Sequence, residues 1–167
     1  MATETFDCGT NYLEPTGFKV LINRTKYPNL QFYAQTVNHP DMSLGESLVG
    51  YPRVGRVAFA GESLEFGVLN MDVLLDENMQ SYREMYNWCE RCVETPHKQG
   101  SDVNANEDGF YHDITISILT SHNNANRSFK YINCFPTNLG SIPFSAQSTG
   151  EYIVFPVTFR FDYFTFS

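Results

Sequence analysis

Residues 152–166 alternate apolar and polar side chains more regularly than any other stretch of the chain. Thr158, Arg160 and Asp162 fall on one face of this stretch when it is extended. The other face is apolar and carries Ile153, Phe155, Val157, Phe159, Phe161 and Tyr163. A period of two residues is that of a β-strand with one buried face. The sequence therefore predicts a long closing strand and, with it, a sheet that covers a core on one side.

Further strands are predicted from the same period or from runs of β-forming residues, over 17–23, 30–37, 64–75, 112–120 and 128–135. Phe18, Val20 and Ile22 share one face of the first of these segments. Pro28 and Asn29 stand between the first two segments and have a turn composition. Those two segments are therefore predicted to pair as a hairpin.

Residues 76–94 carry the clearest helical pattern. Apolar residues at spacings of three and four define one side of this helix, made of Met79, Tyr82, Tyr86, Cys89, Cys92 and Val93. Polar residues define the opposite side, made of Gln80, Arg83, Glu84, Asn87, Arg91 and Glu94. Asp76 is the predicted N-cap and Pro96 is predicted to end the helix. The polar residues 97–111 that follow predict a long loop.

Length and composition point to a single folded domain over 1–167, since 167 residues is close to a typical domain size and 15% of them are aromatic. The predicted fold is mainly β, a β-sandwich or small barrel with one amphipathic helix packed on one side. A net charge of −8 argues against sequence-specific nucleic-acid binding, because the surface as a whole repels phosphate. No signal-peptide pattern and no apolar stretch of membrane-spanning length occurs, so synthesis in the cytoplasm and no membrane partner are expected.

The segment 43–61 is punctuated by glycines yet contains more large apolar side chains than a surface loop should carry. It is interpreted as an extended assembly arm that adds to the sheet edge of a neighbouring subunit. The alternative is a hairpin folded back on the core of its own chain, and the pattern does not choose between them. The predicted subunit contacts are Leu48, Val49, Tyr51, Arg53, Val54 and Phe59.

Cys89 and Cys92 form a CxxC motif that resembles that of thiol oxidoreductases. A redox cysteine needs the N-terminus of a helix, where unpaired N–H groups stabilise the thiolate. These two cysteines fall near the C-terminal end of the predicted helix, so they are predicted to be buried core residues with free thiols. A zinc site would need two more ligands, such as His97 or His112, and no second paired motif supports it.

No catalytic or calcium-binding motif is complete. Asp102, Asn104 and Asn106 begin an EF-hand-like spacing that ends at Asp113, but Glu107 stands where the calcium loop needs glycine. The histidines have neither a paired nucleophile nor a metal-ligand spacing, and they are His39, His97, His112 and His122. A protein that is not an enzyme and that needs no cofactor or metal is expected.

The order of these elements resembles that of the tail tube proteins of contractile-tailed bacteriophages. The likeness covers most of the chain, and its most specific part is the Pro136-Thr137-Asn138-Leu139-Gly140 turn before the long final strand. The other matching segments are Phe18-Lys19-Val20-Leu21-Ile22, 30–37, Gly45-Glu46, Tyr51-Pro52, Leu64-Glu65-Phe66, Leu75-Asp76-Glu77, the helix with Tyr82, Tyr86, Asn87 and Trp88, and Phe161-Asp162-Tyr163. The polar loop after Pro96 and the two helix cysteines depart from the pattern.

The resemblance implies a structural virion protein that forms hexameric rings with a continuous inner β-barrel. Such rings stack into a hollow tube inside a contractile sheath, with sheath and baseplate proteins as further partners. The genomic DNA would pass through the bore without specific binding, and an acidic bore would keep the DNA from adhering.

Four alternatives remain open from the sequence. The nearest are a tube-initiating protein at the baseplate and a tube protein of a related secretion system. The others belong to different classes, a thiol oxidoreductase that uses Cys89 and Cys92 and a monomeric ligand-binding barrel.

Overall fold

The computed structural model describes residues 13–23, 25–53, 55–93, 111–145 and 152–167, with side chains for all of these except 31 and 32. Two helices and nine strands occur in this part of the chain. The helices are α1 (Pro28–Phe32) and α2 (Gln80–Cys92). The strands are β1 (Phe18–Leu21), β2 (Ala34–Asn38), β3 (Met42–Tyr51), β4 (Gly55–Phe66), β5 (Leu69–Leu74), β6 (His112–Leu119), β7 (Ala125–Leu139), β8 (Val154–Arg160) and β9 (Tyr163–Phe166).

Seven strands form one antiparallel sheet in the order β1-β6-β7-β8-β5-β2, with β9 added beside β7. Strand β7 is 15 residues long and joins the two halves of the sheet. Its first part pairs with β6 and β9, and its last part, from Phe135 to Leu139, pairs with β8. Strands β3 and β4 pair only with each other among the described strands. The mainly β prediction is confirmed.

The closing run forms the centre of the core, as its alternation predicts. Phe155, Val157 and Phe159 of β8 are fully buried. The run is not one strand, because Phe161 and Asp162 interrupt it and the chain continues as β9. Tyr163, which the pattern places on the buried face, is half exposed after this interruption.

Helix α2 packs against this core with a face that only partly matches the predicted one. Its buried residues are Ser81, Met85 and Trp88, whereas Tyr86 is 50% exposed. The Trp88 ring stacks on Tyr27 with the ring centres 4.5 Å apart and lies 5.5 Å from Phe159, so the largest ring of the helix decides which side faces the sheet. Tyr82 and Cys92 of the predicted face also pack against the core, so the prediction is right in part: the buried face is centred on Met85 and Trp88 instead of on Tyr86.

The helix also begins later than predicted, at Gln80 instead of residue 76. The N-cap residue is Met79, in a left-handed conformation with φ of 53°, and not the predicted Asp76. The Asp76 carboxylate still accepts hydrogen bonds from the backbone N–H groups of Gln80 and Ser81 in the first turn, each at 3.0 Å. Desolvation of Asp76 opposes ionisation, yet these hydrogen bonds hold its pKa below the ordinary value. The helix ends at Cys92; Pro96 and the predicted loop lie outside the described residues, apart from Tyr111.

The predicted strand over 30–37 begins instead as helix α1. Pro28 occupies its first turn, and Glu84 of α2 accepts hydrogen bonds from the backbone N–H groups of Leu30, at 3.0 Å, and Asn29. A carboxylate from a distant element thus caps this helix, which a local pattern cannot reveal. The predicted hairpin is also wrong, because β1 pairs with β6 and β2 pairs with β5 instead of with each other.

The predicted strand over 64–75 is divided between the end of β4 and β5. Gly67 lies in the gap, where its N–H donates to the Asp41 carbonyl at 3.0 Å. A side chain at Gly67 would meet the Asp41 carboxylate, which would have to turn away into solvent to make room.

Replacing Trp88 by alanine tests which face of α2 is buried. We expect Trp88→Ala to lower the free energy of unfolding by about 3–5 kcal/mol, because it empties a fully enclosed site. Tyr86→Ala, on the predicted but exposed face, should change it by less than about 0.5 kcal/mol. Urea unfolding followed by circular dichroism measures both, since Trp88 is the single tryptophan and its fluorescence is lost in the first variant. Equal effects would contradict the orientation of the helix.

Candidate assembly surface

The β3–β4 hairpin contains the two described strands that do not join the main sheet. Its register runs from Met42 opposite Phe66 to Tyr51 opposite Gly55 at the tip. An isolated two-stranded hairpin is at best marginally stable in water, because only one ladder of hydrogen bonds and one layer of side chains supports it. The predicted arm is therefore a hairpin, but one without a sheet or core beneath it.

The hairpin presents its side chains to solvent on both faces. Val49, Tyr51 and Phe59 lie on one face and are 45%, 59% and 50% exposed. Leu48 lies on the opposite face, across from Ala58, and is 50% exposed. The alternative of a hairpin folded onto its own core does not describe these residues.

The structure thus separates the predicted contact residues into two faces and a tip. Arg53 lies in the tip with φ of 73°, a left-handed conformation that is uncommon for a residue other than glycine. Val54 lies outside the described residues. Near the root, Met42, Leu44 and Leu64 are each more than half exposed. They were not among the predicted contacts, although the alternation of Met42 and Leu44 with serine and glycine could have indicated them.

A bulge near Gly45 divides the hairpin into a short root and a longer distal part. The register shifts between Leu44 and Glu46. A side chain at Gly61 would collide with the Gly45 carbonyl, so the two backbones approach more closely here than other residues would allow.

Aromatic contacts fix the root to the sheet. The Phe66 ring lies 5.9 Å from Phe161 and 5.3 Å from Phe164. Three residues before β3, the His39 ring lies 4.5 Å from Phe129, and its Nδ1 lies 2.6 Å from the Tyr131 hydroxyl oxygen. Desolvation lowers the pKa of His39. The hairpin is therefore attached to the sheet at its root, and the apolar side chains along the rest of its length are exposed.

Charge is distributed unevenly along the hairpin. Arg53 and Arg56 are exposed at the tip. The acidic residues lie toward the root and are Asp41, Glu46, Glu62 and Glu65. A hairpin with a basic tip and an acidic root favours one orientation of a charged partner, because the opposite orientation would bring like charges together.

The described cysteines are free thiols, and none resembles a redox centre. Cys89 and Cys92 are half-buried on α2 and not fully buried as predicted, although Cys92 packs against the core. Desolvation raises the pKa of both thiols, and it raises the pKa of the buried Cys134 to about 12. Raised values disfavour the thiolate that redox exchange requires.

Within the described residues, no three histidine, cysteine, aspartate or glutamate side chains are grouped closely enough to hold a metal ion. Of the EF-hand-like positions, only Asp113 is described. Its carboxylate forms an ion pair with Lys130 at 2.9 Å and accepts a hydrogen bond from the Asn133 N–H.

A cavity of about 230 Å³ lies beside β1, β2 and β6. Phe18, Val37, His39, Ile116 and Phe129 are among its lining residues. Its volume is below the roughly 300–1,000 Å³ of typical small-molecule sites, so it gives little support to the ligand-binding barrel.

Residues 5–167 match a model of a family described as phage tail tube proteins. The chain belongs to this family. A related sequence, named as the tail tube protein of Serratia phage KSP90, is 27% identical over 132 residues, which cover 77% of this chain and 70% of that protein. Tail tube proteins are structural proteins, which are not a class of enzyme.

Solved structures of contractile systems share the fold. The tube-terminating cap of the anti-feeding prophage matches with a TM-score of 0.69 and 19% identity, over 100% of this chain and 99% of that chain. A chain of the sheath-tube complex of an extracellular contractile injection system, in its extended state, matches with a TM-score of 0.68 and 16% identity, over 93% and 91% of the two chains. Among the described residues, no helix is both long and apolar enough to cross a membrane.

Removing both helix thiols tests whether they have a chemical role. We expect the Cys89→Ser/Cys92→Ser protein to unfold within about 1 kcal/mol of the parent, because both side chains are only half-buried. The parent should show no more thiol–disulfide exchange than an ordinary surface thiol at neutral pH, since both pKa values are raised. A rapid exchange activity that disappears in the double variant, measured with a dithiol reporter, would instead support the oxidoreductase interpretation.

Proposed function

We propose that this protein is the repeating tube subunit of a contractile phage tail, assembling as hexameric rings that stack into a hollow conduit for the genome. The observation that carries the proposal is the exposed hairpin. Its apolar side chains have no core of their own to cover, and contact with a neighbouring copy would bury them. Membership of the tail tube family supports the same role.

The edges of the main sheet offer a way to close a ring. Among the described strands, β2 pairs only with β5, and the last part of β7 pairs only with β8. Each copy thus has two unpaired edges on opposite sides of the four-strand unit β7-β8-β5-β2. Pairing the β2 edge of one copy with the β7 edge of the next would satisfy both edges and produce a continuous inner β-barrel.

The dimensions of such a barrel suit a DNA conduit. Six copies of the four-strand unit would contribute about 24 strands, and a spacing of about 4.8 Å gives a diameter of roughly 37 Å between backbones. Side chains that point inward reduce this width, but the remaining bore is wider than a channel for single-stranded DNA would need to be. In this arrangement the outer side of the tube would meet sheath proteins and one end would meet the baseplate.

The apolar face of the hairpin provides the direct test. We expect Val49→Ser/Tyr51→Ser/Phe59→Ser to raise the protein concentration needed for tube formation by about 100-fold. The reason is that burying the exposed part of each side chain contributes about 1 kcal/mol. Negative-stain microscopy of tubes over a concentration series measures this threshold.

Tyr86→Ser is the matched control, because Tyr86 is equally exposed but lies on α2. It should assemble at the parent concentration. A shortened chain without residues 47–56 should stay a soluble protomer and form no tubes. Tubes of normal length from the triple or the shortened variant would contradict the assignment of the hairpin.

A tube-end protein is the second candidate, supported by the similarity in fold to a tube-terminating cap. Tube length distinguishes the two roles. Tubes formed by a repeating subunit become longer as the protein concentration rises, whereas an end protein forms one ring and no longer assembly.

A further inference from the structure

The solvent side of the four-strand unit β7-β8-β5-β2 carries a continuous row of neutral polar side chains. The strand register places Asn38 opposite Asn70, Asn70 opposite Thr158, and Thr158 opposite Asn138. Opposed residues in an antiparallel sheet point to the same face. The row therefore crosses all four strands, and we name these four residues the amide row.

A direct contact confirms the orientation at the centre of the row. The Thr158 hydroxyl donates to the Asn70 side-chain oxygen at 3.0 Å. The alternate positions of the same strands, Met71, Val157 and Phe159 among them, are buried in the core. Asn38, Asn70 and Asn138 are exposed, so the described part of the chain leaves this face uncovered.

Charge is sparse around the amide row. The adjacent row on the same face contains Thr36, Asp72 and Pro156, and Arg160 lies on the other side of the row. One acidic and one basic residue thus flank a neutral centre. Farther from the row, the register places the partly exposed Phe135 opposite Arg160 and Leu74 opposite Val154 on the same face. A single arginine among these positions leaves the face with few cations to bind phosphate.

We propose that the amide row lines the bore of the tube and presents a neutral, hydrated surface to the phosphate backbone of duplex DNA. This inference rests on the proposed tube function and replaces the expected acidic bore with a mainly neutral one. Amide and hydroxyl groups hold water by hydrogen bonds without a net charge. DNA would then neither be held by counterion release nor be repelled strongly from the wall.

The position of the row is tested by labelling a thiol introduced with Asn138→Cys, measured against the native thiols of the parent. In intact tubes, N-ethylmaleimide should react at position 138, whereas a maleimide joined to a protein-sized polymer should react only near the open ends. Asn124→Cys, in the exposed turn before β7, is the control for ordinary surface reactivity in the unassembled protein. Full reaction of the bulky reagent along the tube at position 138 would overturn the bore assignment while leaving tube formation intact.

The chemistry of the row is tested by adding cations to it. We expect tubes of Asn70→Lys/Thr158→Lys to retain about tenfold more short duplex DNA at low salt than parent tubes, and to release it as salt rises. Asn124→Lys adds a charge away from the row and should not change retention. Should the double variant fail to assemble, Asn138→Lys alone provides the same measurement.

Equal DNA retention by lysine variants and parent tubes would overturn the proposed contact with DNA. Strong retention by the parent tubes themselves would overturn the neutral, non-adhesive surface. A parent chain that forms no tubes at any concentration would instead refute the proposed function, so the two failures are separate observations.

Discussion

The structure depends on the burial of one face of strand β8 beneath helix α2. Phe155, Val157 and Phe159 are inaccessible to solvent. Trp88 packs on Phe159 while stacking on Tyr27, and Tyr82 packs on Phe155. Helix α2 covers one face of the four-strand unit. Because side chains on a strand alternate between the two faces, the residues between the buried ones point to the other face. The opposite side is left bare, and the hairpin between β2 and β5 has no core to join. The two surfaces on which the proposals rest, the hairpin and the amide row, are thus the parts of the fold that this core leaves uncovered.

Much of this fold could be predicted from alternation alone. The closing run and the segment of β6 follow the predicted alternation, since Phe155, Val157 and Phe159 of the first and Ile114 and Ile116 of the second are buried. The buried face of α2 could not be predicted in full from such a pattern. Ser81 is buried and Tyr86 is exposed, whereas a pattern based on hydrophobicity places polar residues outside and aromatic residues inside. The strand expected over 30–37 failed because Glu84, more than fifty residues away, caps a short helix at its start.

The candidate assembly surface is indicated by composition and not by geometry. An excess of apolar residues over 43–61 indicated a segment that needs a partner, and the exposed Val49, Tyr51 and Phe59 fit that interpretation. Alternation alone places Leu48 opposite to its neighbour Val49, but only the strand register shows that Phe59 shares a face with Val49. Nor could alternation reveal the amide row, since asparagine and threonine in four separate segments become neighbours only when strand register is known.

The close approach of Gly45 and Gly61 has a consequence for how such arms diverge among relatives. A side chain at Gly61 would need the opposite backbone to move, whereas one at Gly45 would meet mainly the flexible Ser63 hydroxyl. The two positions are thus unequally tolerant, and Gly61 constrains the crossing of the strands more strictly. Side chains beyond it can drift to suit a changing partner without altering the direction in which the arm leaves the body. The crossing of the two strands and the side chains exposed beyond it are therefore set at different positions of one short hairpin.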